Sequence, residues 1–329
     1  MKVTVYDELG AIDALADSWR ALAARDPTAT IFQTPEYAHT WWEEFGALRS
    51  LALVGMTGED GALCGLAPLS MEPDGGVHFV GDPAITDYLA PVSAAADRDV
   101  VAATLVEVAA GLDGFGRLSL SGLPGDSGWP EAIARAAKAA GMDVAEEPDD
   151  VCPVAPTGES WEAYLAALPG KQRHEIRRKA RRLEAVGAFR VRVATDESLD
   201  ADLESFFALH RSSTGPKGKF MHENMAVYFR RLAHTLQSRG EMRLTVMYVG
   251  DEPVAALYGF SDGRTWSVYN SSYDHARREL SPGLVLVAEA IRLACDEGCA
   301  SFDFLRGAEE YKYRFGAVDR AVIRVTATP

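Results

Sequence analysis

Three stretches of this chain carry side chains suited to chemistry. Residues 277–283 read Arg-Arg-Glu-Leu-Ser-Pro-Gly, ahead of an apolar run. Ser281 as N-cap with Pro282 behind it predicts a sharp helix start, whose free N–H groups attract an anion. Arg277 and Arg278 stand just before it, so Arg277, Arg278, Leu280, Ser281, Pro282 and Gly283 together suit a pyrophosphate; a plain capped helix is the alternative. Residues 171–182 hold seven Lys or Arg and one Glu, a local charge of +6 in a chain of net charge −15. On a helix Lys171, His174, Arg178 and Arg182 share one face, Arg173, Arg177 and Arg181 another, and Ile176, Ala180 and Leu183 form a narrow buried stripe. Two readings stand for this run. It reads phosphates, because guanidinium groups grip phosphate oxygens bidentately, with Arg178 a candidate substrate contact, or it is a solvated helix in an acidic protein. The third stretch, residues 301–312, brings Asp303, Arg306, Tyr311 and Lys312 close in sequence.

The elements that must position these residues follow from periodicity and turn chemistry. In the first half, helices are expected over residues 9–24, 35–45, 99–112 and 129–140, with strands over 51–57, 62–70, 77–80, 87–92 and 117–120. In the second half the basic run is preceded by a helix from Trp161 and followed by a strand at 190–194 and helices at 199–212 and 225–238. A hairpin, 243–249 and 254–261, leads to a strand at 265–271, a helix at 282–297 and a strand at 301–305. Aligning Leu51 with Leu244 superposes the two hairpins, and residues 117–120 then meet 301–304. The chain thus repeats one order of elements. The Pro-, Asp- and Gly-rich residues 146–160 have the composition of a boundary, predicting halves 1–150 and 151–329.

Asp303 and Arg306 lie at the end of the closing strand, where α/β sheets gather ligands. Asp303 is there either a catalytic carboxylate or half of a salt bridge with Arg306. Tyr269 and Asn270 end a neighbouring strand, Asn270 as a candidate to orient substrate. His210 and His275 are candidate general bases, titrating near neutrality, or ordinary packed or surface histidines. Tyr311, Tyr313 and Phe315 alternate, which also fits an aromatic strand face.

With 329 residues, 47% hydrophobic and 25% charged, the chain suits two globular cores. Its acidity argues against a surface that binds nucleic acid or anionic lipid as a whole. The first ten residues carry acids where a signal peptide needs an apolar core, and no apolar run is long enough to span a bilayer. Cys64, Cys152, Cys295 and Cys299 include no second pair to complete a zinc site, so buried thiols in a reducing cytoplasm, and no metal, are expected.

The pattern Arg278-x-x-Ser281-x-Gly283 resembles the Q/R-x-x-G-x-G/A loop with which the GNAT acetyltransferase superfamily binds CoA pyrophosphate, with serine at the first glycine. Taken with Asn270-Ser271-Ser272-Tyr273-Asp274, Asp303-Phe304-Leu305-Arg306-Gly307, Tyr311-Lys312 and the basic helix, residues 161–316 resemble the CelD/BcsL-type acetyltransferases, relatives of the Fem aminoacyltransferases. The resemblance implies an α/β fold of tandem GNAT-like halves, each a twisted, largely antiparallel sheet flanked by helices. It implies acyl transfer from acetyl-CoA or another acyl-CoA to an amine- or hydroxyl-bearing small molecule or sugar. It further implies an acid role for Tyr311 toward the departing thiolate, an oxyanion role for Lys312, and a donor edge along residues 265–271, with Tyr269 and Asp303 beside the chemistry. The first half has no such cradle at residues 90–99. It is expected to shape an acceptor cleft, with Phe32, Tyr37, Trp41 and Trp42 as candidate lining. Two rivals remain: a Fem-like transferase taking its donor from aminoacyl-tRNA, and an inactive binding protein that has kept the fold.

Overall fold

Local signals set most of the elements. The computed structural model describes residues 1–213 and 216–329. The chain opens with strand β1 (Lys2–Tyr6) and helix α1 (Gly10–Ala23). Thr34 then caps α2 (Pro35–Phe45): its hydroxyl accepts the Tyr37 N–H at 3.3 Å, and Pro35 occupies a first-turn position where no donor is missed. A hairpin follows, β2 (Ser50–Thr57) and β3 (Leu63–Met71), with Gly61 at φ 78° in its turn. Next come β4 (Gly76–Phe79), β5 (Val92–Ser93), α3 (Arg98–Ala110), β6 (Arg117–Pro124), α4 (Trp129–Ala139) and β7 (Asp143–Pro156). The remainder comprises α5 (Trp161–Ala167), α6 (Gly170–Glu184), β8 (Phe189–Val193), α7 (Leu199–Arg211), α8 (Pro216–Phe220) and α9 (Glu223–Gln237). It closes with β9 (Thr245–Val249), β10 (Glu252–Ser261), β11 (Thr265–Tyr273), α10 (Pro282–Asp296), β12 (Ser301–Asp303), α11 (Glu310–Arg314) and β13 (Val318–Thr328).

The chain divides into two compact units, Met1–Val151 with Arg320–Pro329, and Cys152–Asp319. In the first unit the strands run β1-β2-β3-β4-β6-β13, antiparallel except for the parallel pair β4–β6. In the second they run β7-β12-β11-β10-β9-β8, antiparallel except for β11–β12. Each unit is therefore a mixed, largely antiparallel sheet with helices packed on it, and the expected α/β fold of repeated halves holds. Both repeats join a hairpin to a third strand, which a helix then links to a parallel fourth, the order that aligning Leu51 with Leu244 indicates. In the first unit Leu105 and Ile133 from helices pack on Val54, Leu69 and Leu118; in the second Leu286 and Ile291 pack on Leu257, Trp266 and Phe302.

Four segments differ from the sequence expectation. Residues 320–329, expected in the second half, belong to the first unit, where β13 pairs with β6 from Val322↔Pro124 to Ala327↔Leu118. The Pro- and Asp-rich boundary carries strand β7, whose end pairs with β12 through Ser301↔Pro156 and Asp303↔Val154. The strand expected at 87–92 shrinks to Val92–Ser93, because the preceding backbone finds partners elsewhere. Leu89 N–H donates to Gly122 O (2.8 Å), while Tyr88 O accepts from Gln33 (2.7 Å) and Ile85 O from the Tyr37 hydroxyl (3.0 Å). Tyr311, Tyr313 and Phe315 start from a helix rather than a strand. Tyr311 and Phe315 are four apart and both meet Phe304, while Tyr313 points outward.

Candidate active site

The second unit contains a place where two parallel strands part. β11 has nine residues, but only Thr265–Ser267 pair with β12, opposite Ser301–Asp303. Two local features explain the parting. Within β11, Tyr258 pairs with Asn270 while Gly259 pairs with Val268, leaving Tyr269 as the extra residue of a bulge that bends the strand. β12 in turn stops where Leu305 takes a left-handed backbone, φ 53°, with its N–H on Asp303 Oδ1 at 2.7 Å.

A cavity of about 270 Å3 lies at this divergence, lined by Ser271, Ser272 and Tyr273 of β11, Leu257 of β10, Arg278 and Ser281 of the intervening turn, Gly283, Leu284 and Val287 of α10, and Tyr311 of α11. Of residues 265–271, expected as the donor edge, 265–267 are paired with β12, so the open edge of β11 begins after Ser267. Asp274 N–H bonds to Val254 O, so by strand alternation the amides of Tyr273 and Ser271 point to the open side. Asn270 Oδ1 occupies the Ser271 amide at 2.8 Å.

The turn before α10 behaves differently from a simple cap. Ser281 sits at φ 56°, ψ 45°, a conformation that glycine adopts freely and serine adopts at a cost of roughly 1–2 kcal/mol. Its hydroxyl makes no bond to the helix amides; it accepts from Lys179 Nζ at 2.9 Å. Leu284 and Val285 N–H reach Ser281 O, and Pro282 has no N–H. Gly283 N–H finds no acceptor among the described residues. A side chain on Gly283 would press on the Tyr273 ring at 3.2 Å, so glycine allows the helix start to approach β11 closely.

The predicted residues divide into two groups. Arg278, Ser281, Gly283 and Tyr311 come together on the cavity, and Arg278 is exposed with no carboxylate partner among the described residues. Pro282 is buried and Leu280 packs on the core behind them. Arg277 turns away, paired with Glu252 and, at 3.3 Å, with Asp274. Arg178 forks Glu175 on its own helix at 2.7 and 2.8 Å, and with Lys179 it holds that carboxyl down to about 2. Lys312 is not free to meet an oxyanion. It is 2% exposed, and its ammonium grips the carbonyls of Leu305, Arg306 and Gly307 at 2.8–2.9 Å, with Glu309 at 2.9 Å. Its donors are spent on holding the loop that carries Arg306. Asp303 is buried and bonds the Leu305 amide.

Asn270 Oδ1 also meets buried His210 Nε2 at 3.1 Å, which puts the imidazole proton on Nε2. Tyr269 stacks on Phe229 at 5.2 Å. His275 meets the Ser213 hydroxyl at 3.3 Å and the Tyr273 ring at 4.5 Å. In the first unit Phe32, Tyr37 and Trp41 are core residues. Lys179 escaped the sequence reading, which grouped the helix by its two basic faces. The signal was the stripe Ile176, Ala180 and Leu183, whose packing aims the intervening Lys179 toward α10. The Tyr311 phenol, half-buried against Phe304, is pushed up by desolvation and stays neutral at physiological pH.

Parallel strands that part, a helix start without acids, a cation and a neutral phenol thus surround one cavity. Residues 170–313 match the family model described as "Acetyltransferase (GNAT) domain". The chain carries a GNAT-type acetyltransferase domain. By that domain it is an acyltransferase. No curated protein sequence matches the chain. Among solved structures, FemX is similar over 98% of this chain and 97% of its own, at 12% identity and TM-score 0.66. The C-terminal domain of a putative lysylphosphatidylglycerol synthetase from Agrobacterium fabrum covers 96% and 92%, at 11% identity and TM-score 0.62. A tandem GNAT protein from the clavulanic acid biosynthesis pathway covers 98% and 97%, at 11% identity and TM-score 0.53. At these identities the likeness is one of fold, and it extends over both units. Among the described residues no helix is long and apolar enough to cross a membrane, and no cluster of His, Cys, Asp and Glu suits a metal ion.

Proposed function

We propose that the second unit takes an acyl-CoA thioester and transfers its acyl group to the nitrogen or oxygen of a small, amine- or hydroxyl-bearing acceptor, a sugar included. The observation that carries this reading is the cavity at the β11–β12 divergence, where Arg278 has no carboxylate partner and the Gly283 amide no acceptor among the described residues, beside the neutral phenol of Tyr311. Arg278 and the start of α10 hold the pyrophosphate, the amide end of the helix dipole adding to the charge of the guanidinium. The acyl oxygen takes the open-edge amide of Tyr273, which stabilises charge as it develops. The acceptor atom bonds to the acyl carbon, the carbon–sulfur bond breaks, and Tyr311 Oη supplies the proton that the leaving sulfur takes. The proton lost by the acceptor goes to solvent or to a base on the acceptor side. Lys312 positions the 305–307 loop, and Asn270 with His210 holds the bend of β11. The cytoplasm, where acyl-CoA is made, suits this assignment.

The test is thermal shift and calorimetry of the full chain with acetyl-CoA and longer acyl-CoAs. A ligand that binds the folded state raises its melting temperature, and Arg278→Glu is expected to abolish that rise while the unliganded protein melts as before. An Arg278→Glu protein that binds as wild type refutes the reading.

A Fem-like transfer from aminoacyl-tRNA is the second reading. It is favoured by the exposed cations Lys171, Arg177, Arg181 and Arg182 of α6, which have no carboxylate partner among the described residues. Retention of tRNA that fades with salt, together with no response to acyl-CoA, would select it.

A further inference from the structure

We infer that Lys179, reaching in from helix α6, is a phosphate-binding residue of the donor site, held ready by the hydroxyl of Ser281. The inference rests on the acyl-CoA reading above and deepens it by adding a third donor contact, from an element outside the strand–turn–helix cradle. Three observations carry it. Ser281 keeps the left-handed backbone that a glycine would hold without strain. Ser281 lines the cavity, but its hydroxyl does not cap the helix, the one use that would explain an N-cap serine by itself. That hydroxyl instead accepts Lys179 Nζ at 2.9 Å, which brings a primary ammonium one hydrogen bond away from the cavity wall.

Charge in the neighbourhood supports the same conclusion. The acid nearest Lys179 is Glu175, at 3.4 Å, and that carboxylate is already forked by Arg178 through two bonds of 2.7 and 2.8 Å. Glu175 is thus shared, with its shorter bonds made to Arg178 and a longer ion pair to Lys179. The first turn of α10 carries no acid, and Arg278 lines the same cavity as Ser281. Two cations therefore stand near a helix start with no side-chain cap: Arg278 on the cavity and Lys179 on the Ser281 hydroxyl. The Lys179 side chain is 19% exposed and its head is held by Ser281 and Glu175 before any ligand arrives; an ordered cation loses less freedom on binding than a surface lysine does. A phosphate entering the cavity can take the ammonium from the serine and satisfy both. The ligand class is a thioester donor that bears phosphate close to the α10 start.

The experiment compares calorimetric binding of acetyl-CoA and of acetyl-pantetheine, which has the thioester arm and no phosphate. Lys179→Met keeps the packed stem and removes the charge. It is expected to weaken acetyl-CoA about tenfold, the worth of one charge-assisted hydrogen bond, and to leave acetyl-pantetheine unchanged. Ser281→Gly keeps the left-handed turn and removes the latch. It is expected to weaken acetyl-CoA by a smaller factor, with no fall in melting temperature. If Lys179→Met binds acetyl-CoA as wild type while Arg278→Glu does not, Lys179 is a structural tie to Ser281 and the inference is overturned, although the donor reading survives. If wild type binds neither compound, the donor reading fails and takes the inference with it. Equal weakening of both compounds also overturns it, because the loss would then lie in the shape of the cavity and not in phosphate recognition.

Discussion

Helix α3 of the first unit and helix α10 of the second hold the same place in the repeated order, between a third strand and the strand parallel to it, yet their starts have opposite electrical character. At α3 the chain itself brings the anions: Asp97 precedes the helix and Asp99 sits in its first turn. Arg98 is drawn off to buried Asp26 at 3.5 Å, and Arg135 pairs with Asp99 at 2.5 Å. At α10 the first turn has no acid, the residue before the proline is left-handed Ser281, and Arg278 faces the cavity. A helix start attracts one negative group, and whichever anion is nearest satisfies it. In the first unit that anion is covalently part of the protein, whereas in the second the first turn holds no acid. Two copies of one order of elements can therefore differ in function through a few side chains at one helix end.

The loops after the closing strands differ in the same way. After β6, the turn 125–128 is fastened by the Ser127 hydroxyl, which donates to Pro124 O at 2.6 Å and accepts the Trp129 N–H at 3.2 Å. After β12, a longer loop with left-handed Leu305 is held by the buried ammonium of Lys312 on three carbonyls.

Giving α10 the character of α3 should have the largest consequence. Leu284→Asp puts a carboxylate in the first turn and on the cavity wall, and acetyl-CoA affinity is expected to fall about a hundredfold by calorimetry, since it removes attraction and adds repulsion. Asp99→Asn in α3 is the control and should create no donor binding there. Next, Lys312→Met leaves one buried and two part-buried carbonyls without their donor and should destabilise the protein by about 2–4 kcal/mol in urea unfolding, against about 1 kcal/mol for Ser127→Ala. A smaller loss for Lys312 than for Ser127 would show that the longer loop holds itself.

Tyr311→Phe should then lower turnover at least tenfold with donor affinity unchanged. Burial raises the phenol above its ordinary value near 10, so its proton, and any step that uses it, persists through neutral and mildly alkaline pH. The sign for stability follows: the folded state holds this proton more tightly, so the contribution is intact below the ordinary value and lost as pH rises toward the folded one. The phenylalanine variant should show less of that alkaline loss. The smallest effect concerns Cys295, whose thiol burial pushes up to about 11. It should resist alkylation at pH 8 in the native protein and react readily once unfolded.

Much of the second unit could be read directly. Hairpins, capped helices and the repeat announce themselves through period, turn residues and caps, all of which act within a few residues. The Arg278–Gly283 turn was found for the same reason. The roles of single residues were not readable in this way. Lys312 looked like a free cation beside a tyrosine, but three carbonyls in a loop only five to seven residues away claim its donors. Arg277 and Arg278 are neighbours of one type, and only packing sends one to Glu252 and the other to the cavity. Lys179 and Ser281 meet across 102 residues, a separation at which spacing carries no information.

By itself, then, the amino-acid sequence determined the repeated strand–helix order, the acid-free helix start with its arginine, and the basic character of the helix that follows Gly170. Those depend on local propensity and on charge, which any short window contains. Tertiary structure alone decided that residues 320–329 complete the first unit's sheet, that β11 and β12 part after Ser267, and which cations remain unspent. Each of these is a competition among distant partners for one hydrogen bond or one strand edge, and its outcome exists only once the chain is folded.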